Sequence, residues 1–146
     1  MIKALLPGVM LLLSLTPGAV HAEPVLMISV DGLRPGDVID AERRGLKIPN
    51  LRRFLAEGSY ASGVVGVLPT VTYPSHTTLI TGVSPDQHGV VNNTTFDPKG
   101  INQTGWYWYA RDIRVPTLWD AAAKAGLSVA NVFWPVSVGA SSIRWN

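Results

Sequence analysis

Val25-Leu26-Met27-Ile28-Ser29-Val30-Asp31-Gly32 is the stretch on which the fold reading turns. It is a short, nearly continuous apolar run that ends in a turn dipeptide, the pattern of a parallel strand buried on both faces. In an open α/β sheet, ligands bind beyond the carboxyl ends of the strands. Asp31 therefore stands where a functional carboxylate would stand. A turn with no further role is the plain alternative.

Downstream, the pattern alternates. Leu51, Phe54 and Leu55 share one helical face, which predicts a helix over Asn50 to Glu57 with Gly58 at its end. Tyr60 to Leu68, rich in Val and Gly, reads as a second strand closed by Pro69. Pro74 suits the first position of a helix running to Thr81, and Gly82 ends it. Val83 to Gly105 is rich in Gly, Pro, Asn and Asp and reads as an extended loop. Thr117 and Asp120 have capping-box spacing before an alanine-rich helix ending at Gly126. Leu127 to Trp134 reads as a third strand. Strands alternating with helices predict an α/β fold with a mostly parallel sheet.

Upstream, residues 1–22 read as a signal peptide. Lys3 supplies a positive start, Ala4 to Leu15 an apolar stretch, and Val20-His21-Ala22 the small residues of a cleavage site. That stretch is shorter than the roughly 20 residues that span a bilayer. An uncleaved membrane anchor is the alternative. The expectation is an exported chain, periplasmic or secreted, beginning at Glu23. Losing Lys3 lowers the formal charge from +2 to +1, too little for nucleic-acid or membrane-surface binding by charge alone. With no cysteine among 146 residues, disulfides and thiolate metal sites are excluded, and any metal must take oxygen or imidazole ligands.

The segment Pro69-Thr70-Val71-Thr72-Tyr73-Pro74-Ser75-His76 carries the strongest chemical signal. It sets Thr72 between a strand end and a helix start, where backbone N–H groups and the helix dipole favour negative charge. Thr72 is then either a nucleophile or an N-cap. Asp86 to Asn93 forms a loop that could return to the same strand ends. An Asn93 amide there could donate to a phosphoryl oxygen, or serve only as a turn residue. A Thr72/His76/Asp86 triad lacks any G-x-S-x-G elbow. Trp106-Tyr107-Trp108-Tyr109 could stack a base or simply pack a loop. Asn93-Thr94-Thr95 and Asn102-Gln103-Thr104 match glycosylation sequons, the first in conflict with a role for Asn93.

Taken in order, VDGLRP, PTVTYPSHTTLITG, SPDQHGVVNN, FDP and FWPVS resemble the nucleotide pyrophosphatase/phosphodiesterase family of the alkaline phosphatase superfamily. The resemblance extends over nearly all of residues 23–146. It implies the N-terminal part of an alkaline-phosphatase-like α/β sandwich and a phosphodiesterase catalytic domain with two zinc ions at the strand ends. By the same resemblance Asp31 is a metal-ligating aspartate, Thr72 the metal-activated nucleophile, and Asn93 the asparagine that contacts a phosphoryl oxygen. It implies hydrolysis of phosphodiester or pyrophosphate bonds in a small-molecule or nucleotide substrate through a phosphothreonine intermediate. A phosphate monoesterase of the same superfamily and a non-catalytic, phosphate-binding scaffold are the alternatives.

One departure stands out. Two zinc ions need about six protein ligands, and residues 23–146 hold two histidines, His76 and His88, neither at a family ligand position. The expectation is therefore a truncated catalytic domain whose further ligands lie downstream.

Overall fold

The computed structural model describes residues 23–102 and 105–146. The signal-peptide reading of residues 1–22 lies outside the described residues, as do two positions of the second sequon. The chain divides into two compact units between Val30 and Asp31.

Residues 25–30 form no strand. Val25 is 89% exposed and Ile28 71%. From Asp31 onward the elements are α1 (Pro35–Ile39), α2 (Pro49–Glu57), α3 (Thr72–Thr81), α4 (Pro85–His88), a 3-10 turn (Ala110–Asp112) and α5 (Leu118–Lys124).

The expected α/β sandwich with a mostly parallel sheet is not what the described residues form. They contain no named strand. Pairing is confined to isolated bridges, Thr94 with Trp106, Tyr109 with Val138, and Ala130 with Trp145. The reason is physical. Apolar patterning supplies the faces of a strand, but its hydrogen bonds must come from another segment. Residues 60–68 form no such ladder, and Val64 and Val65 stay exposed. The run 127–134 gains the Ala130 bridge and an Asn131 N–H donated to the Trp145 carbonyl at 2.7 Å. It then leaves extended geometry at Phe133, whose φ of 56° is left-handed, as is the 58° of Val136.

The helices follow local rules more closely. In α5, Thr117 accepts from the Asp120 N–H while Asp120 accepts from the Thr117 N–H at 2.8 Å, a complete capping box. Ser142 also donates to Asp120. Burial pushes the Asp120 carboxyl up, but the hydrogen bonds from Ser142 and Thr117 outweigh it and hold the group below its usual range. In α2, Gly58 closes the helix in an extended conformation, and a Cβ there would lie 2.9 Å from the Phe54 carbonyl oxygen. Arg52 reaches from α2 to the Val38 and Ile39 carbonyls at the end of α1, at 3.3 and 2.9 Å.

Two helices, α1 and α4, lie where no helix was expected. Each opens on a proline at its first turn, which fixes φ at no hydrogen-bonding cost. The core joins α3 to α5: Ile80, Trp119 and Ile143 are buried together, flanked by Ile113, Val129, Trp134 and Ala140. Each such apolar side chain contributes about 1.5–3 kcal/mol, and α3 is anchored along its length by buried Pro74, His76, Thr77 and Ile80. Its N-terminal turn is left at the site.

Candidate functional site

Helix α3 begins at Thr72, not at Pro74, and its N-cap is Val71 in extended conformation with no side-chain cap bond. Thr72 is therefore the first helical residue and not the N-cap. This frees its hydroxyl, which donates to Asp31 Oδ2 at 3.1 Å across 41 positions of sequence. Thr72 is half-buried and Asp31 exposed.

The cap comes from Asn93. Its Oδ1 accepts the Tyr73 N–H at 2.8 Å, taking the place that an N-cap oxygen usually fills. Since the backbone N–H can only donate, the amide atom facing Tyr73 is the oxygen. The planar amide then directs its two Nδ2 donors elsewhere. Of the first three residues of α3, Tyr73 has its N–H engaged by Asn93 and Pro74 has none. The expected set of backbone donors thus reduces to the Thr72 N–H, and the Asn93 amide supplies the rest.

Asn93 is itself held on three sides. Its N–H donates to Asn92 Oδ1 at 2.9 Å, its carbonyl accepts from the Tyr107 N–H at 3.1 Å, and its side chain holds Tyr73. The loop leading to it is sewn to α3 through His88, which is fully buried. The Val90 N–H donates to His88 Nδ1 at 3.1 Å, which places the imidazole proton on Nε2, 3.0 Å from Thr78 Oγ1. Burial pushes the His88 pKa below its ordinary 6.5, against smaller raising effects of the Pro74 backbone and the Asp86 carboxylate. Next to it, Gly89 is left-handed at φ 84°, and a Cβ there would sit 2.6 Å from Arg114 Nε. The glycine lets the loop turn under Arg114, whose N–H donates to the His88 carbonyl at 3.0 Å.

Thus Asp31, Thr72 and Asn93 converge on the first turn of α3. The aromatic run touches the same turn: the Tyr73 and Trp106 ring centroids are 5.2 Å apart, and those of Trp106 and Trp108 6.2 Å. Burial raises the Tyr73 hydroxyl pKa above its usual value. His76 turns its Nδ1 to the Thr72 carbonyl oxygen at 2.8 Å, a contact that the i, i+4 spacing of Thr72 and His76 could have flagged. Asp86 is engaged by Ser84.

The fit to a metal is partial. Oxygens bound to zinc at about 2.0–2.2 Å in tetrahedral geometry sit about 3.3–3.6 Å apart, so the 3.1 Å between Thr72 Oγ1 and Asp31 Oδ2 is a few tenths short of one edge. Among the described residues, however, no three His, Cys, Asp or Glu side chains gather into a metal-binding group. The pair does not by itself make a zinc site. No helix among the described residues is long and apolar enough to cross a membrane.

Comparison with known proteins covers nearly the same span. Residues 25–144 match the family model described as type I phosphodiesterase / nucleotide pyrophosphatase. The chain is 27% identical over 129 residues to a venom phosphodiesterase of Macrovipera lebetinus, covering 83% of this chain and 14% of that protein. It is 28% identical over 129 residues to the human ectonucleotide pyrophosphatase/phosphodiesterase family member 1, covering 83% and 13%. A similar match, 28% over 131 residues, covers 83% of this chain and 14% of the bovine family member 3. The chain therefore spans about a seventh of the length of these relatives. With the family model matched from the first apolar run to the last turn, and Asp31, Thr72 and Asn93 meeting at one helix start, the chain belongs to the type I phosphodiesterase/nucleotide pyrophosphatase family.

Proposed function

We propose that this segment carries the nucleophile side of a site that hydrolyses phosphodiester or pyrophosphate bonds, with Thr72 as nucleophile. The observation that carries the reading is the junction at the start of α3: Thr72 Oγ1 on Asp31 at 3.1 Å, and Asn93 on the next residue's N–H at 2.8 Å. The hydrogen bond points the hydroxyl proton at Asp31 and leaves the oxygen lone pairs directed away from that carboxylate. In the proposed reaction Thr72 Oγ1 forms the new bond to phosphorus and the substrate's alcohol or phosphate departs with the electrons of the broken P–O bond. Water then attacks the phosphorus of the phosphothreonine, breaking the Oγ1–P bond, returning a proton to Thr72 Oγ1 and releasing the phosphorylated product. The Nδ2 donors of Asn93 meet the charge that builds on a non-bridging oxygen, and the positive end of α3 adds to that field.

The zinc pair is part of this proposal. Asp31 and Thr72 would hold one edge of it, and a bound cation would lower the pKa of the threonine hydroxyl. The remaining ligands would come from outside the described residues. The substrate class proposed is a small phosphodiester or nucleotide, and the leader-like N-terminus supports export to the periplasm or beyond the cell.

Rapid acid quenching with a phosphorus-labelled diester tests the nucleophile in the protein that carries this segment. Label is expected on Thr72, with turnover abolished in Thr72→Ala and partly kept in Thr72→Ser, which retains a hydroxyl. Near-normal turnover in Thr72→Ala would place the nucleophile elsewhere.

A further inference from the structure

The peptide unit joining Thr72 to Tyr73 is held by side chains at both of its polar ends. Its N–H donates to Asn93 Oδ1 at 2.8 Å. Its carbonyl oxygen lies 2.8 Å from His76 Nδ1. A carbonyl can only accept, so the imidazole proton of His76 resides on Nδ1.

An α-helix does not need this second bond. Thr72 O is already the acceptor that helical geometry assigns to the His76 main-chain N–H. The imidazole adds a donor to a carbonyl whose helical role is filled, at a turn that has no cap of its own and that lacks one N–H at Pro74. Helix ends fray, so a further tie at this turn bears directly on where Thr72 sits. The ring is well anchored for the task. It is 8% exposed and meets Trp134 edge-on, with centroids 5.3 Å apart and planes at 74°. Trp134 in turn packs against the Ile80, Trp119 and Ile143 core.

We infer that His76 is a positioning residue: together with Asn93 it clamps the Thr72–Tyr73 peptide, and so aligns the Thr72 hydroxyl with the Asn93 amide. This rests on the reading of Thr72 as nucleophile. One rigid peptide plane then carries both reacting directions. The hydroxyl hangs from the residue on its carbonyl side, and the amide is hinged to its N–H side. Losing the imidazole bond leaves the carbonyl tied by its helical N–H partner alone, so the plane is freer to tilt and to move the two groups relative to each other. A misplacement of about 1 Å can cost on the order of 10²-fold in rate.

Two substitutions separate the donor from the ring. His76→Asn keeps an N–H donor at the Nδ1 position and discards the packing on Trp134. His76→Phe keeps an aromatic ring on Trp134 and discards the donor. Measured in the protein that carries this segment, per folded molecule and on a chromogenic phosphodiester, His76→Phe should lower kcat about 10–100-fold with KM changed less than about threefold. His76→Asn should hold kcat within about threefold of the parent even where its melting temperature drops. Comparable kcat losses in both variants, or none in His76→Phe, would overturn the clamp. If His76→Phe fails to fold, His76→Asn decides: retained kcat supports the donor role and a 10-fold loss refutes it. Thr72→Ala runs alongside as the control on the nucleophile. Full activity there sinks the parent reading, whereas an inactive Thr72→Ala beside a fully active His76→Phe sinks the clamp alone.

Discussion

In the proposed site Asn93 holds two jobs in one amide, and substitution can pull them apart. Its oxygen caps α3 through the Tyr73 N–H, and its nitrogen is left to donate. Asn93→Asp keeps an acceptor in place of Oδ1 and adds negative charge at a helix N-terminus, so the fold should lose nothing measurable. It removes both donors. Asn93→Ala removes cap and donors together. The cap is a single bond at 2.8 Å on a half-buried residue, and its loss should cost about 1 kcal/mol within a range of roughly 0.5–2. Loss of one donor to developing phosphoryl charge should lower kcat about 10²–10³-fold, or about 3–4 kcal/mol of transition-state stabilisation. Urea midpoints and kcat, measured on the same preparations of the protein that carries this segment, give both numbers. The expected pattern is Asn93→Ala reduced in both, and Asn93→Asp reduced in kcat alone. Repulsion of an anionic substrate adds to the loss in Asn93→Asp, so the decisive result is retention. If kcat in either variant stays within about threefold of the parent, Asn93 is a cap and nothing more.

Other expectations follow from the buried histidine and the incomplete ligand set. Burial holds the His88 pKa below 6.5, so the unfolded chain binds this proton more readily than the folded one. Stability should be full above about pH 6.5 and fall as pH drops below it, because a proton on Nδ1 would displace the Val90 N–H. His88→Asn, which keeps an acceptor for Val90, should flatten that slope in denaturant titrations between about pH 8 and 5; an unchanged slope would remove His88 as its source. Residues 23–146 as an isolated polypeptide should hold no zinc tightly and hydrolyse no phosphodiester detectably, since no three-ligand group forms among the described residues. Stoichiometric zinc in equilibrium dialysis would show that ligands within this span had been overlooked.

What could be read from the residues alone divides by the range of the hydrogen bonds involved. Helices α2 and α5, and all but the start of α3, were legible because a helix closes its bonds four residues away and its ends are marked locally. The Thr117–Asp120 capping box and the left-handed Gly82 are such marks. The order of motifs around Asp31, Thr72 and Asn93 was legible too, as chemistry waiting for a geometry. The strands were not, because Val25–Val30, Tyr60–Leu68 and Leu127–Trp134 display the apolar faces of strands without naming a partner, and patterning cannot supply one. Nor could sequence say which residue caps α3. A threonine before a helix satisfies the local rule for an N-cap, yet the bond is made by Asn93, 20 residues from Tyr73, so that Thr72 becomes helical and turns its hydroxyl to Asp31. Bonds that span tens of residues depend on where the intervening chain comes to rest, here on His88 buried against Thr78 and on Gly89 passing beneath Arg114. That placement is decided by packing, and only the tertiary structure contains it.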